Sequence, residues 1–422
     1  MKKKVRFTLV FDRSSRTAIA ALMGSLETAA GDRSAEVIRA VPNERLPEVG
    51  FEPGLTEFLL MSAMTRNFPA RARALARLKS KHGDAFISII GGPHASGDPR
   101  GALEAGFDYC CVGEGEEAVR DIFDCASSGL GLDGISGVFT LRGGEVAGTP
   151  RECAVDLDGF DPLPGRIRFP TYIEIGRGCR WGCAYCQTPR IFGRNERFRS
   201  PARVEAVAAR YFKWGMMDVR LLLPNALAYG SSEPGVANPA ALDEVLGRVR
   251  ASCPEGRVYL GSFPSEVRPD YVTPEVVATL RKYVSNEILV IGGQSGSDGV
   301  LEWLGRGHTA RDILRAAETV RAGGFAASVD IMLGFPVEEP ADRQASFKLA
   351  EQLGKRGVRV NMHFLMPLPG TPLSDAVPRF LSTDERRKLD TLAQQGIVRG
   401  HWRRQEEISR EWLDRDRQDP SA

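Results

Sequence analysis

Apolar positions along the first 125 residues alternate between two periods. "VRFTLVF" (5–11), "AEVIRAV" (35–41), "FLLMSAM" (58–64), "FISIIGG" (86–92) and "FDYCCVG" (107–113) are short, β-branched and aromatic-rich runs that predict strands. Between them, "SRTAIAALMGSLETA", "PARARALARLKSK" and "EEAVRDIFDCA" carry the spacing of amphipathic helices. Strands and helices of this length in alternation predict an open parallel sheet with helices on both faces, a doubly wound Rossmann-like domain over residues 1–125. The pattern fades over 126–170, where "LRGGEVAGTPRE" and "DLDGFDPLPGRIRFP" predict a hairpin and a linker.

A second alternating series starts at "TYIEIGR" (171–177). Its later strands are predicted at "DVRLLL" (218–223), "RVYLGS" (257–262), "EILVIG" (287–292), "ASVDIML" (327–333) and "RVNMHFL" (359–365), with helices between them. Six strand–helix units are too few for a complete eight-unit barrel and suit a partial (β/α)6 barrel over 171–375. Residues 376–422 predict a helical carboxyl-terminal tail, with a disordered end from "DRDRQDPSA" (414–422). The whole chain is therefore expected to be α/β, with the doubly wound domain first.

Composition narrows the class only slightly. The chain has 422 residues, 42% apolar and 26% charged, with a formal net charge of +2. Near-neutral charge and the lack of a basic patch with interleaved aromatics give no evidence for nucleic acid. No apolar run is long enough to span a bilayer, so no membrane partner is expected. The opening "MKKKVRFTLVFDRSS" has too short an apolar run for a signal peptide and predicts a strand. These features point to the cytoplasm, where clustered thiols bind metal more often than they form disulfides.

The chemistry is concentrated in "RGCRWGCAYC" (177–186). Cys179, Cys183 and Cys186 follow the first strand of the second series, at the carboxyl end where barrels carry their active sites. Structural zinc takes four ligands, usually as two pairs, and no partner pair occurs here. A 4Fe–4S cluster held by three thiolates leaves one iron open to an outside ligand. The other cysteines read differently: Cys110, Cys111 and Cys125 as small core residues, Cys153 and Cys253 as exposed.

This C-x-x-x-C-x-aromatic-C pattern, with Tyr185 as the aromatic residue, resembles the signature of the radical SAM superfamily. The resemblance implies that the open iron binds the amino and carboxylate groups of S-adenosylmethionine. It further implies that an electron, from a reducing partner such as flavodoxin or ferredoxin, cleaves the sulfonium to a 5′-deoxyadenosyl radical. "LLPNALAYG" (222–230) stands where the family has a Gly-Gly-Glu-like segment. That triplet is absent, which leaves Asn225 as the candidate for the methionine amino group. "GGQSGSDGVLEWLGRGHT" (292–309) resembles a stretch of methylthiotransferase-like and cobalamin-dependent members. Gln294, Ser295 and Arg306 there are either cofactor contacts or parts of a turn and a helix salt bridge. "DIMLGFP" (330–336) resembles the fifth strand and its adenine-side turn at Gly334. His363, ending the sixth predicted strand, faces either the barrel mouth as a proton-handling group or the core.

A doubly wound domain ahead of such a barrel resembles the cobalamin-binding class. "SAMT" (62–65), "GGPHASGDP" (91–99) and "GEGE" (113–116) end predicted strands where that class has corrin-contacting loops. The resemblance nominates Ser62, Thr65, Gly91, Gly92, His94, Gly113, Glu114 and Gly115 for cobalamin; the bland reading is that these loops merely turn the chain. Other corrinoid proteins carry Asp-x-His-x-x-Gly after the first strand. Here "FDRSSRT" (11–17) has no His, so a His-off cobalamin is implied. The function implied is methylation of an unactivated carbon in a substrate the sequence does not identify. The alternatives are a methylthiotransferase-like enzyme, which would need further cluster cysteines in the front domain, and a non-catalytic corrinoid- or cluster-binding protein.

Overall fold

The computed structural model describes residues 3–418. Two compact units emerge: one is built on residues 1–174, the other mainly on 175–422. The front unit holds a seven-stranded sheet of β1 (Val5–Phe11), β2 (Ile38–Pro42), β3 (Thr56–Ser62), β4 (Ile87–Gly91), β5 (Tyr109–Cys111), β6 (Val138–Arg142) and β7 (Glu145–Gly148). Its order is β2-β1-β3-β4-β5-β6-β7, parallel through β5. This is the doubly wound order, with its switch point between β1 and β3.

Both sheet faces are apolar because helices cover both. Phe7 stacks on Phe58 with centroids 4.8 Å apart on one face. Val10, Leu59, Met61, Ile90 and Cys110 pack together on the other. The predicted hairpin exists and does more than link: β6 and β7 extend the sheet antiparallel from β5. Its turn uses Gly143 and Gly144 at φ 58° and 83°, the left-handed pair that a two-residue hairpin requires. The linker is fixed by buried Glu27, whose carboxylate accepts from the backbone N–H groups of Gly165 (2.6 Å), Arg166 (3.1 Å) and Ile167 (3.0 Å).

In the second series the six predicted strands are β8 (Ile173–Glu174), β11 (Asp218–Leu222), β12 (Arg257–Tyr259), β13 (Ile288–Gln294), β14 (Ala326–Leu333) and β15 (Arg359–Phe364). A small hairpin of β9 (Gly176–Arg177) and β10 (Arg197–Phe198) flanks the cysteine loop. Within the second unit β11 pairs parallel with β12, and β13-β14-β15 form a parallel group; a bridge from Val267 to Ile291 joins the two. Helices start where a capping side chain precedes a proline, at Ser200-Pro201, Asn238-Pro239 and Thr273-Pro274.

The tail departs from the prediction in two ways. After the helix Thr383–Gln394 the chain adds β16 (Val398–Arg399), parallel to β15. A two-residue strand has no periodicity to detect. The last helix, Trp402–Gln418, also runs through residues 414–418, which were expected to be disordered. Residues 419–422 lie outside the described residues. No helix among the described residues is long and apolar enough to cross a membrane.

Candidate functional site

The cysteine loop leaves β9 and is pinned on every side within the second unit. Cys186 N donates to Cys183 O (3.0 Å), and Ala184 N donates to Leu304 O (3.1 Å). Arg180 pairs with Glu196 at 2.7 Å and donates to Ser231 O. The Arg268 guanidinium lies 3.7 Å from the Trp181 ring centroid, a cation–π contact. Gly307, at φ 68°, runs against that ring, and a Cβ there would collide with it.

Arg306 supplies the charge. It is 6% exposed and donates from Nη2 to Gly292 O (2.5 Å) and from Nη1 to Tyr185 Oη (3.2 Å) and Cys183 Sγ (3.5 Å). Burial works against its cationic form, yet Tyr185 and Cys183 carry its pKa above the ordinary value. Burial pushes the Cys179 thiol up to about 11 and raises Cys186 as well. Among the described residues no three His, Cys, Asp or Glu side chains converge as a single metal ion requires. A cubane spreads its ligands over separate irons, so three thiols in one loop need not converge on one point. A buried guanidinium bonded to a thiol sulfur, with no carboxylate in salt-bridge range among the described residues, suits the negative charge of a thiolate-ligated cluster. The residues present therefore fit such a group.

The other candidates for S-adenosylmethionine divide. Tyr185 packs on Phe335, centroids 5.9 Å apart, beside the turn at Gly334. Gly334 takes φ 94° and donates to Glu338 (2.7 Å), while the Phe364 ring leaves no room for a Cβ. Asn225 is buried; its Oδ1 accepts from Arg268 N and Leu227 N, and its Nδ2 has no partner. Gln294 sits in a bulge of β13 at φ 73°, the one described non-glycine residue with positive φ. Ser295 does not join this group. It is fully buried, lies 3.4 Å from Ser346 Oγ and accepts from Ser297 N, so it shapes the turn. Among the described residues Arg306 forms no helix salt bridge; its Nη1 and Nη2 go to the cysteine loop and Gly292, while its buried Nε has no partner. His308, which the sequence did not single out, is buried beneath them. Its Nε2 meets Gly293 O at 3.2 Å, and burial with Arg306 and Arg268 nearby pushes it down to about 3.

In the front unit the loops after β3 and β4 interlock: Ala63 N donates to Gly91 O and His94 N to Ala63 O, both 3.0 Å. Gly92 takes φ 89°, and a Cβ there would meet Ser62 Oγ and the Ala63 backbone. His94 is 8% exposed, packed at a 31° tilt with its centroid 3.9 Å from that of Phe68, and neither ring nitrogen has a partner. Thr65 Oγ1 is likewise buried and unpartnered. Gly113 N donates to Ser96 Oγ, and Gly115 caps the helix Glu116–Ser128. Glu114 is committed elsewhere, one oxygen accepting from Val155 N (2.6 Å). In the first loop, Asp12 accepts from Ser14 N, Ser15 N and Arg71, so an ion pair stands where other corrinoid proteins place their His. Two orphaned polar side chains and a glycine cradle at one sheet edge fit a large polar ligand.

This combination, a doubly wound front unit and a partial barrel with a three-cysteine loop, defines a class. Residues 52–123 match the family model of the B12 binding domain, and residues 173–350 match that of the radical SAM superfamily. The chain thus carries a radical SAM domain and, ahead of it, a B12-binding domain. It is similar to an uncharacterized methyltransferase of Pyrococcus horikoshii, with 23% identity over 72% of this chain and 65% of the relative. It also resembles the tRNA-2-methylthio-N(6)-dimethylallyladenosine synthase of Pelodictyon phaeoclathratiforme, with 31% identity over 58% and 54%. The chain thus spans between half and two thirds of these relatives. The fold matches that of TsrM from Kitasatospora setae, a radical S-adenosylmethionine methyltransferase, at TM-score 0.68, 16% identity, and coverage of 88% and 74%. It also matches OxsB, a cobalamin-dependent radical enzyme, at TM-score 0.64, 15% identity, and coverage of 83% and 52%.

Proposed function

We propose that the chain is a cobalamin-dependent radical SAM enzyme that methylates an unactivated carbon of its substrate. The observation that carries this reading is the cysteine loop with Arg306 bonded to Cys183 Sγ and Tyr185 Oη. Cys179, Cys183 and Cys186 would hold a 4Fe–4S cluster, which when bound supplies the electron that cleaves S-adenosylmethionine. Tyr185 and the Gly334 turn shape the adenine side, while Asn225 Nδ2 and Gln294 offer polar contacts. Ser62, Thr65, Gly91, Gly92, His94, Gly113 and Gly115 would cradle cobalamin as the methyl donor, without an axial imidazole from the first loop. A small reducing partner such as flavodoxin or ferredoxin would deliver the electron, and clustered free thiols suit the cytoplasm.

The methylthio-synthase relatives favour a second reading, methylthio transfer. It is the poorer fit to the front unit. Cys110 and Cys111 are successive residues of β5 and point to opposite faces, and Cys125 lies on the helix Glu116–Ser128.

Anaerobically reconstituted protein should hold about four irons per chain, and with a competent reductant it should form 5′-deoxyadenosine or S-adenosylhomocysteine. The triple Cys→Ala variant should lose both. Unchanged iron and spectrum in that variant would falsify the assignment.

A further inference from the structure

One groove in the front unit shares no residue with the candidate cofactor sites. The helix Phe68–His82 and the segment Asn43–Glu48 bound it, enclosing about 470 Å³. Leu46 and Leu78, both buried, form an apolar floor. Arg73, Arg77 and Lys81 are exposed and line it at i, i+4 and i+8 of the helix. That spacing puts them in one row, about 6 Å apart along the axis. Other cations of the same helix are paired, Arg71 with Asp12 at 2.6 Å and Lys79 with Asp108 at 2.8 Å. Among the described residues the three in the groove have no ion pair, and Lys81 Nζ reaches only the Pro47 carbonyl, at 3.4 Å. Glu44, the one carboxylate lining the groove, is exposed and pairs with none of them. Like charges at i, i+4 weaken a helix, so the row does not serve the helix itself.

We propose that this groove docks an acidic helix of a partner protein. Charge complementarity sets the sign of the occupant, because three unpaired cations face one carboxylate. Spacing sets its form. A small anion such as phosphate would engage one cation, since the three are strung over about 12 Å of helix axis. A helix laid along the groove repeats Glu or Asp at i, i+4 and i+8 with the same rise, so that each carboxylate meets one cation. Apolar side chains beside those carboxylates would cover Leu46 and Leu78, as when an amphipathic helix lays its apolar face into a groove. A nucleic-acid strand fits less well. No aromatic side chain lines the groove for bases to stack on, and Glu44 would repel phosphates. The ion pairs would form at the surface, so docking should weaken steeply with salt. None of these residues belongs to a cofactor site, so docking and catalysis can be read separately.

The experiment uses the full chain and a fluorescein-labelled amphipathic peptide of about five helical turns, with Glu at i, i+4 and i+8 and Leu on the adjoining stripe. A control peptide carries Gln in place of each Glu. Fluorescence anisotropy at low salt should show saturable binding of the Glu peptide, at least tenfold weaker binding of the Gln peptide, and loss of both at high salt. The double variant Arg73→Glu with Arg77→Glu should bind the Glu peptide at least tenfold more weakly. Ala70→Tyr, which puts a ring into the groove without changing its charge, should weaken it as well. Lys348→Glu, a charge reversal at an exposed lysine outside the groove, should change it less than twofold. All four positions are exposed, so melting temperatures should match the wild type, and iron content and 5′-deoxyadenosine formation should not change. No saturable binding by the wild type, equal binding of the two peptides, or an equal loss in Lys348→Glu overturns the proposal. So does a single-stranded oligonucleotide that binds tenfold tighter than the Glu peptide and loses that affinity in the double variant, which would assign the groove to nucleic acid.

Discussion

His94 offers a test in which stability and ligand binding should move in opposite directions. The imidazole is 92% buried against Phe68, and neither nitrogen meets a partner. Each such group costs roughly 1–3 kcal/mol of desolvation that no hydrogen bond returns. Burial accordingly holds the His94 pKa below its ordinary value, so the ring is neutral at pH 7. Leucine is close to it in volume and carries no polar atoms. In His94→Leu the cofactor-free protein should therefore unfold no more easily than wild type, and should gain up to about 1–2 kcal/mol. Cobalamin, if it supplies the missing partner, should bind the variant at least tenfold more weakly, the equivalent of about 1.4 kcal/mol. Urea unfolding at pH 7 measures the first quantity, and equilibrium dialysis with hydroxocobalamin the second. The His94→Gln variant, which keeps a donor and an acceptor, should recover part of the affinity. A variant destabilised by more than about 1 kcal/mol with undiminished cobalamin binding would show His94 to be a packing residue, and the reasoning would fail.

Three further outcomes are expected. Glu27→Gln replaces an ionised acceptor of three linker N–H groups and should cost about 2–4 kcal/mol in urea unfolding; a loss under 0.5 kcal/mol would mean water replaces the carboxylate. Gly334→Ala must hold φ 94° against the Phe364 ring and should lower stability by about 2 kcal/mol or more, with S-adenosylmethionine binding weakened in any protein that folds; an unchanged melting temperature would contradict the crowding. The His308 pKa is depressed to about 3, so its contribution is present above the unfolded-state value near 6.5 and is lost as pH falls from there toward 3. The slope is about 1.4 kcal/mol per pH unit, and His308→Phe should flatten the stability curve between pH 6 and 4.

The order of elements and the cysteine loop were legible because each has a local signature. Apolar runs bounded by Gly and Pro marked all five parallel strands of the front sheet and all six of the partial barrel, and C-x-x-x-C-x-x-C is a spacing the chain displays directly. What stayed hidden depends on partners distant in sequence. Nothing around Glu27 announces that residues 165–167 will close on it. Ser295 and Gln294 are neighbours in one motif, yet the bulge in β13 sends one into packing beside Ser346 and leaves the other at positive φ. Glu266 and Asp330 are 64 positions apart, and only strand order brings their carboxyls together. β16 was missed because two residues carry no period, and the last helix because its charged composition reads equally well as a solvated chain.

The electrostatics of the cysteine loop also explain why this arrangement is tolerated in a folded chain. Arg268 and Arg306 are both nine-tenths or more buried, and Arg268 Nη2 donates to the carbonyl of Arg306. Of the two, only Arg268 has a carboxylate within salt-bridge distance, Asp270 at 3.1 Å. Two buried guanidiniums beside one carboxylate leave an excess of positive charge, which is costly in a low-dielectric interior. The local structure limits that cost by keeping His308 neutral and by turning Trp181, Tyr185 and two carbonyls toward the cations. None of these groups is an anion at pH 7. Glu266 and the thiols of the loop are nearby groups able to become anionic, and Arg306 already reaches one of the thiols. Arg306 thus sets a buried cation against Cys183 Sγ within the second unit, where the negative charge of a thiolate-ligated cluster would offset it.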